Sequence, residues 1–306
     1  MAADRLTSKA ARGARHVVGR IRTATRDSDP VVKPDPPDGA TDLVVIILDS
    51  LRHDSWMEVM PTVMGRLGAV ERRFSYASWT APSHYNLLTG LLPHASPTET
   101  MAADYYQREY LRYRDRLNVE IAFDDLLPQL WLPSFLQSIG YETRAMVSMP
   151  VLNPDTGMSR GFDDYRLMPN HHDMPAMVRE LTFSRERPTF TLLNVGETHY
   201  PYATPGEDTS RFPRVSGVHG VLKRADQDHG GFFDPDLLAE LRTRQLAALE
   251  SVDATFERLL ACLPADTWVV VTSDHGELFG EGGYFGHGPI NHEKVLEVPF
   301  VEGRVS

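Results

Sequence analysis

Short apolar runs separated by amphipathic stretches constrain the fold of this chain most strongly. The runs are residues 43–48 (LVVIIL), 189–195 (TFTLLNV), 268–272 (WVVVT), 298–301 (VPFV) and, more weakly, 141–147. Strands that are apolar on both faces are typical of parallel sheets buried between helices. Between the runs, residues 237–263 repeat leucine and alanine at the three- and four-residue spacing of a helix. This alternation predicts an α/β fold, with a doubly wound, mostly parallel sheet and helices on both faces.

The first 40 residues differ from the rest of the chain in charge and proline content. Residues 1–26 hold seven basic side chains and one acidic one, and residues 27–39 (DSDPVVKPDPPDG) hold four prolines. Proline at this density disfavours both helix and strand. We therefore expect a basic, flexible arm and a proline-rich linker over residues 1–40, and a folded domain over residues 41–306.

Charge and cysteine content exclude several classes of protein. The formal net charge is −11 although the arm is basic, and an acidic surface repels nucleic acid. The single cysteine, Cys262, cannot form an intrachain disulfide. The arm lacks the apolar segment of a signal peptide, and no apolar run is long enough to span a bilayer. These features predict a cytoplasmic protein with no nucleic-acid partner and no membrane span.

Acidic and imidazole side chains follow three of the apolar runs. Asp49 follows the first, Glu197 and His199 follow another, and Asp274 and His275 follow a third. Ligands of open parallel sheets bind beyond the carboxyl ends of the strands, and carboxylate and imidazole are ligands of Zn²⁺ and Mn²⁺. Each feature alone has a structural explanation, since Asp is a common helix N-cap and a strand must end in some turn. Together they predict a metal site at one edge of the sheet.

Residues 78–90 (SWTAPSHYNLLTG) predict a helix with a threonine at its start. Pro82 suits the first turn of a helix, Ser83 can cap it, and Thr80 then lies just before it. Unpaired N–H groups and the helix dipole favour negative charge there. An alcohol bound to a divalent cation at that point could be deprotonated and attack phosphorus or sulfur. Taken alone, the segment is better explained as a capping turn.

Five separated elements, in the same order, resemble the alkaline phosphatase and sulfatase superfamily over about residues 42–303. The sulfatase signature Cys/Ser-x-Pro-Ser-Arg followed by Thr-Gly is matched in register by Thr80, Pro82, Ser83, His84, Thr89 and Gly90. The strand before Asp49 and the segment SDHGE (273–277) resemble the two metal-ligand strands of that superfamily. THYPY (198–202) resembles its His-x-Pro-Tyr element, and residues 140–149 followed by GFDDY (161–165) keep its order.

The resemblance implies a role for individual residues of the predicted catalytic domain. The metal ligands would be Asp49, Thr80, Asp274 and His275, with Thr80 also the nucleophile. His199 would contact the transferred anion. His287, 12 positions after His275, would hydrogen-bond the anion, protonate the leaving oxygen or bind a second metal; a surface histidine is the alternative. His84 stands where the signature has a substrate-binding arginine.

Departures from the sulfatase pattern favour phosphate or phosphonate mono- or diesters as the small anionic substrate. Sulfatases convert a cysteine or serine into formylglycine, and Thr80 cannot undergo that conversion. The lysine and histidine that sulfatases carry after the GY-x-T strand are absent from residues 147–150 (VSMP). A sulfuric ester hydrolase, a phosphotransferase and a catalytically silent homologue that binds an anion or a partner stay open as alternatives.

The metal is expected to be Mn²⁺ or Zn²⁺. Ser50 replaces the second of two paired aspartates, and Ca²⁺ wants more oxygen ligands than remain; Ca²⁺ and Mg²⁺ stay open. Asp226, Asp228 and His229 could hold a second metal, although a solvated loop explains them better. Residues 105–116 predict a charged helical lid or a solvated helix. Relatives add a small C-terminal sheet after the segment matching VPFVEG (298–303), which implies a more open site here, or one completed by another subunit of a homo-oligomer.

Overall fold

The computed structural model describes residues 33–95, 130–215, 223–224 and 233–305. These residues belong to one compact unit, Lys33–Ser306. Four predicted features lie outside the described residues. They are the basic arm (1–26), the first part of the linker (27–32), the lid (105–116) and the loop in which Asp226, Asp228 and His229 were considered as ligands of a second metal.

A seven-stranded sheet forms the centre of the fold. Ten strands lie within the described residues: β1 (Leu43–Leu48), β2 (Glu71–Phe74), β3 (Glu142–Val147), β4 (Asp164–Leu167), β5 (Thr189–Val195), β6 (Lys223–Arg224), β7 (Trp268–Thr272), β8 (Leu278–Phe279), β9 (Tyr284–Gly286) and β10 (Glu297–Arg304). The large sheet has the order β2-β10-β7-β1-β5-β3-β4, and β6-β9-β8 form a small second sheet. Strands β7, β1, β5, β3 and β4 run parallel to one another, and β10 pairs antiparallel with both of its neighbours, β7 and β2. The prediction of a mostly parallel sheet is confirmed.

Helices cover the sheet and its connections. Within the described residues they are α1 (His53–Val59), α2 (Thr80–Leu88), α3 (Leu132–Ser138), α4 (Met174–Glu180), α5 (Pro235–Cys262) and α6 (Glu293–Leu296). Short 3₁₀ helices span Met64–Arg66, Pro150–Leu152, Gly157–Ser159, Thr209–Arg211 and Glu281–Gly283. The helix predicted over residues 237–263 is α5, and it begins earlier because Asp234 caps it by accepting a hydrogen bond from the Asp236 N–H at 2.9 Å.

Both faces of the sheet are buried, as the apolar runs predict. Along β1, Val44, Ile46 and Leu48 pack into a core layer that includes Phe256 of α5. The alternate residues Val45 and Ile47 pack into a second layer that includes residues of α2 and α3. Successive strand residues point to opposite faces, so a strand buried on both sides must be apolar throughout. The fold is therefore doubly wound.

The order of the parallel strands determines which residues meet at the edge of the sheet. Strand β1 lies between β5 and β7, with Leu48 opposite Val195 and Ile47 opposite Thr272. The carboxyl ends of these three strands are therefore side by side at the centre of the sheet. The polar residues that follow them, remote from one another in the chain, are brought to one place.

Helix α5 holds the loops after β1 and β5 in position. Gln245, whose side chain is fully buried, donates from Nε2 to the carbonyl oxygens of Ser50 (3.1 Å) and Thr198 (3.2 Å). Its Oε1 accepts a hydrogen bond from the Ser55 hydroxyl at 2.8 Å. A buried amide with all its partners fixes the backbone beside it, and here that backbone adjoins Asp49 and His199.

Candidate metal and catalytic site

Two carboxylates and an imidazole converge where β1 and β7 end. Asp49, Asp274 and His275 are buried, and each offers a ligand atom within 4.8 Å of the others. The Nε2 atom of His275 lies 3.4 Å from Asp274 Oδ2 and 4.0 Å from Asp49 Oδ1. Such a cluster has the donor types and spacing of a site for one divalent cation.

The hydroxyl of Thr80 faces this cluster. Thr80 Oγ1 is 3.3 Å from His275 Nε2, and the side chain is buried. Sequence reasoning placed Thr80 just before the helix and a cap at Ser83, whereas α2 begins at Thr80 and Ser83 lies within it. The reason is that the Ser83 N–H donates to the Trp79 carbonyl, closing the first turn, so Trp79 is the N-cap. The uncapped first-turn N–H groups thus adjoin the Thr80 hydroxyl.

Hydrogen bonds from neighbouring strands and turns orient the carboxylates. Asp49 accepts from Asn194 Nδ2 at 2.9 Å and from the Ser50 hydroxyl at 3.2 Å. Asp274 Oδ1 accepts from the N–H groups of Ser50 (3.1 Å) and His275 (2.9 Å). Ser50 has a φ of 60°, a left-handed conformation that is costly outside glycine and concentrated at functional sites. That turn directs its N–H towards Asp274.

One oxygen of the cluster is buried without a partner. Asp274 Oδ2 makes no hydrogen bond with the part of the chain that the structure describes. Burial, and next the negative charge of Asp49, raise the pKa of Asp274 well above its usual range. Burial also acts to raise the pKa of Asp49, but the imidazoles of His199 and His275 together lower it. Two adjacent buried carboxylates cannot both ionise cheaply without a cation, so the residues present fit a divalent metal.

His275 presents an unprotonated nitrogen to the carboxylates. Its Nδ1–H donates to the Gly276 carbonyl at 2.9 Å, which leaves the Nε2 lone pair facing the cluster. Burial, followed by the neighbouring His287, lowers the pKa of His275 well below its usual value. A neutral imidazole whose second nitrogen is held by a carbonyl is the usual form of a metal-binding histidine.

His199 and His287 lie beside the cluster. The ring centroids of His275 and His287 are 4.3 Å apart, and those of His199 and His287 are 5.4 Å apart. His287 Nδ1 donates to Glu277 Oε1 at 3.0 Å, and Glu277 Oε2 accepts from the Tyr202 hydroxyl at 2.6 Å. His199 Nδ1 donates to the Tyr200 carbonyl at 2.8 Å. The other nitrogen of each ring is thereby left for a ligand.

His84 lies deeper than a residue on the substrate side would. It is 1% exposed, its Nδ1 donates to the Thr80 carbonyl at 2.8 Å, and the same nitrogen is 3.7 Å from Asp274 Oδ2. Burial lowers its pKa. Within the described residues its Nε2 has no hydrogen-bond partner. Its contacts are with the first turn of α2 and with Asp274, so its predicted role in substrate binding stays a prediction.

Glu197 and the two histidines of residues 171–172 lie in loops. Glu197 is buried and accepts a hydrogen bond through Oε1 from the Met174 N–H at 2.6 Å, at the start of α4. Burial raises its pKa to about 7. His171 and His172 occupy the loop before that helix.

Three residues of the site escaped sequence reasoning. Asn194 and Gln245 are fully buried and hydrogen-bond Asp49 and its neighbouring loops, and Glu277 supports His287. A signal existed for Asn194, because it is a polar residue inside an otherwise apolar strand. Glu277 lay in the quoted segment SDHGE without an assigned role. Gln245 sits on the apolar face of a long helix, where an amide is unusual.

Comparison with known proteins identifies the family of this chain. The profile of the family described as Sulfatase matches residues 41–301. The chain therefore belongs to the sulfatase family, whose members are enzymes. No curated protein matches the sequence. In the part of the chain that is described, no helix is long and apolar enough to cross a membrane.

Several solved structures share the fold. The soluble domain of lipooligosaccharide phosphoethanolamine transferase A from Neisseria meningitidis is 14% identical, with a TM-score of 0.51 over 89% of this chain and 79% of that one. The C-terminal periplasmic domain of EcEptC from Escherichia coli, in complex with Zn, is 13% identical (TM-score 0.56, 90% and 77%). A putative sulfatase from Bacteroides thetaiotaomicron is 13% identical (TM-score 0.52, 86% and 64%). At these identities the likeness establishes the alkaline phosphatase and sulfatase fold alone.

Proposed function

We propose that this protein is a metal-dependent hydrolase of phosphate or phosphonate esters in which Thr80 is the nucleophile. One observation carries the proposal: the Thr80 hydroxyl lies 3.3 Å from His275 Nε2, at a buried cluster with two carboxylates. Its position at the start of α2 adds the partial positive charge of a helix N-terminus.

The proposed metal ligands are Asp49, Thr80, Asp274 and His275. A divalent ion held there lowers the pKa of the hydroxyl it touches and offsets the negative charge of the substrate. Two carboxylates, one imidazole and one hydroxyl suit Zn²⁺ or Mn²⁺ better than Ca²⁺. The Zn complex of the EcEptC domain supports zinc on the same fold. One ion is sufficient for the described cluster.

The proposed reaction has two displacements. The Thr80 hydroxyl gives its proton to solvent, and Oγ1 attacks phosphorus as the bond to the alcohol oxygen breaks and the alcohol leaves with a proton. His287 delivers that proton, while His199 and the first-turn N–H groups of α2 hold the phosphoryl oxygens. Water then hydrolyses the phosphothreonine and restores the hydroxyl.

Transfer to an alcohol is a second candidate outcome of the same site. The Neisseria meningitidis structure is that of a phosphoethanolamine transferase, and an acceptor alcohol that replaces water in the second step would make this chain a phosphotransferase. Sulfuric ester hydrolysis is disfavoured because Thr80 cannot form the aldehyde of sulfatases. A silent homologue would have no use for the convergence of Thr80 with three metal ligands.

The metal-loaded protein is expected to hydrolyse p-nitrophenyl phosphate or its diester at least about tenfold faster than p-nitrophenyl sulfate, as kcat/KM. The assay is run with Mn²⁺ and with Zn²⁺, and added glycerol reports transfer as glycerol phosphate. A faster rate on the sulfate would contradict the preference for phosphorus. Absence of turnover on every ester, with metal bound, would identify a silent homologue.

Glu277 is proposed as a positioning residue that acts through His287. Replacing Glu277 with Ala should lower kcat roughly 10- to 100-fold with little change in KM, because the imidazole loses the partner that fixes its orientation. Glu277→Gln, which still accepts the Nδ1–H, should retain more activity than the alanine variant. Glu250→Gln on the exposed face of α5 is the matched control. Equal losses in the Gln and Ala variants, or a loss in KM alone, would count against this role.

Location and partners are proposals drawn from the sequence. The EcEptC domain is periplasmic, whereas the single cysteine of this chain is the observation that favours a cytoplasmic location. A small anionic ester as partner follows from the proposed reaction. The exclusion of nucleic acid and the formation of a homo-oligomer likewise stay predictions.

A further inference from the structure

A groove of about 430 Å³ is lined by residues that directly precede Thr80 and that follow His287 in the chain. Two segments line it, residues 76–79 and 289–291, together with Leu296. Its volume lies within the range of about 300–1,000 Å³ that is usual for small-molecule sites. None of its lining residues has a role in the proposed reaction.

The two segments that line the groove are neighbours in the chain of two proposed catalytic residues. Trp79 directly precedes Thr80, and Pro289 comes two positions after His287. The Gly288 N–H donates to the Ser78 carbonyl at 3.3 Å, which joins the two walls between these points. A group bonded to a phosphoryl at Thr80 would therefore have the groove as a neighbouring space.

Among the residues that the structure describes, the lining is aromatic and apolar and includes no acidic or basic side chain. Tyr76 and Trp79 supply rings, Ile290 and Leu296 supply aliphatic surface, and Ser78 and Asn291 supply uncharged polar atoms. Nearly a quarter of the residues in the whole chain are charged. A lining that offers neither a carboxylate nor an ammonium group therefore favours an uncharged ligand. A charged group placed there would lose hydration without gaining a partner.

Trp79 has an exposed ring at the start of α2. It occupies the N-cap of α2, a position that favours Ser, Thr, Asp or Asn, and its side chain makes no capping bond. The side chain is 44% exposed. A large ring that neither caps the helix nor packs in the core leaves apolar surface open beside the nucleophile, and such surface marks binding sites.

We infer that this groove binds the alcohol portion of the ester substrate, and that this portion is uncharged and aromatic or otherwise apolar. The inference rests on the proposed function, since it takes the phosphoryl group to lie at Thr80. An aromatic alcohol can stack on Trp79 and Tyr76 and displace water from Ile290 and Leu296. An alcohol with an ammonium group would find no carboxylate in the lining.

The test compares benzyl phosphate with ethanolamine phosphate, because both have an alkyl alcohol as leaving group. The metal-loaded wild-type chain should show a kcat/KM at least about tenfold higher for benzyl phosphate. Ile290→Asp and Trp79→Ala should each raise the KM for benzyl phosphate about tenfold, and this increase should exceed any increase in the KM for methyl phosphate, which has no group to place in the groove. Phe135→Ala replaces a similarly exposed aromatic side chain (49%) in α3. It is the control, and it should change kcat/KM for neither substrate.

A binding measurement separates this inference from the proposed function. Benzylphosphonate, which is not hydrolysed, is titrated calorimetrically into the metal-loaded wild-type chain and into Ile290→Asp. Weaker binding to the variant supports the groove even if no ester is turned over, in which case only the proposed function falls. If turnover is normal and KM and Kd are unchanged in the groove variants, the groove does not bind the alcohol portion, and only this inference is wrong. A preference for ethanolamine phosphate overturns the uncharged specificity.

Discussion

Replacing Thr80 with Ala lowers kcat for p-nitrophenyl phosphate on the order of 10⁴-fold or more in the metal-loaded protein. The reason is that removal of Oγ1 removes the only atom proposed to form the covalent intermediate, and no other hydroxyl is proposed to replace it. Thr80→Ser keeps the nucleophilic oxygen and should retain measurable turnover. Thr89→Ala, at the opposite end of α2, is a matched control that should stay within about twofold of the wild type.

The intermediate provides an independent readout of the same residue. Rapid acid quenching during turnover, followed by mass spectrometry of the peptide that contains Thr80, should detect phosphothreonine in the wild type and none in Thr80→Ala. Undiminished turnover by the alanine variant, or a phosphoryl group on another residue, would rule out Thr80 as nucleophile.

Replacing Asp274 with Asn should remove stabilisation by the metal without destabilising the metal-free fold. At a metal concentration of 100 times Kd, binding stabilises the wild type by about 2.7 kcal/mol, which corresponds to a rise in Tm of roughly 5–10 °C for a domain of this size. The variant lacks one charged ligand and should lose this rise. Without metal its Tm should not fall below that of the wild type, because asparagine removes a like charge from a buried pair.

Scanning calorimetry with and without Zn²⁺ or Mn²⁺ measures both parts of this expectation, and elemental analysis gives the bound metal. Asp236→Asn, on the exposed first turn of α5, is the control and should keep the full metal-induced shift. A variant at Asp274 that keeps the shift would remove this residue from the ligand set. A large loss of Tm in the metal-free variant would indicate that the carboxylate is needed for folding.

Most of the sheet could be predicted, because its central strands are apolar on both faces. Runs 43–48, 189–195 and 268–272 coincide with β1, β5 and β7. Strand β2 (ERRF) escaped prediction because it is a short, charged strand at the edge of the large sheet, next to β10. The direction of β10 escaped as well, since an antiparallel strand inside a mixed sheet can be as apolar as a parallel one.

The sequence by itself determined which chemical groups end the central strands: carboxylates after β1 and β7, an imidazole beside the second, and a hydroxyl ahead of a helix. Only the tertiary structure decided that Thr80 Oγ1 lies 3.3 Å from His275 Nε2, that Asn194 and Gln245 orient the Asp49 loop, and that Glu277 links Tyr202 to His287. These contacts join residues up to 195 positions apart. They depend on the strand order β7-β1-β5 and on side-chain packing, which local propensity and periodicity do not encode.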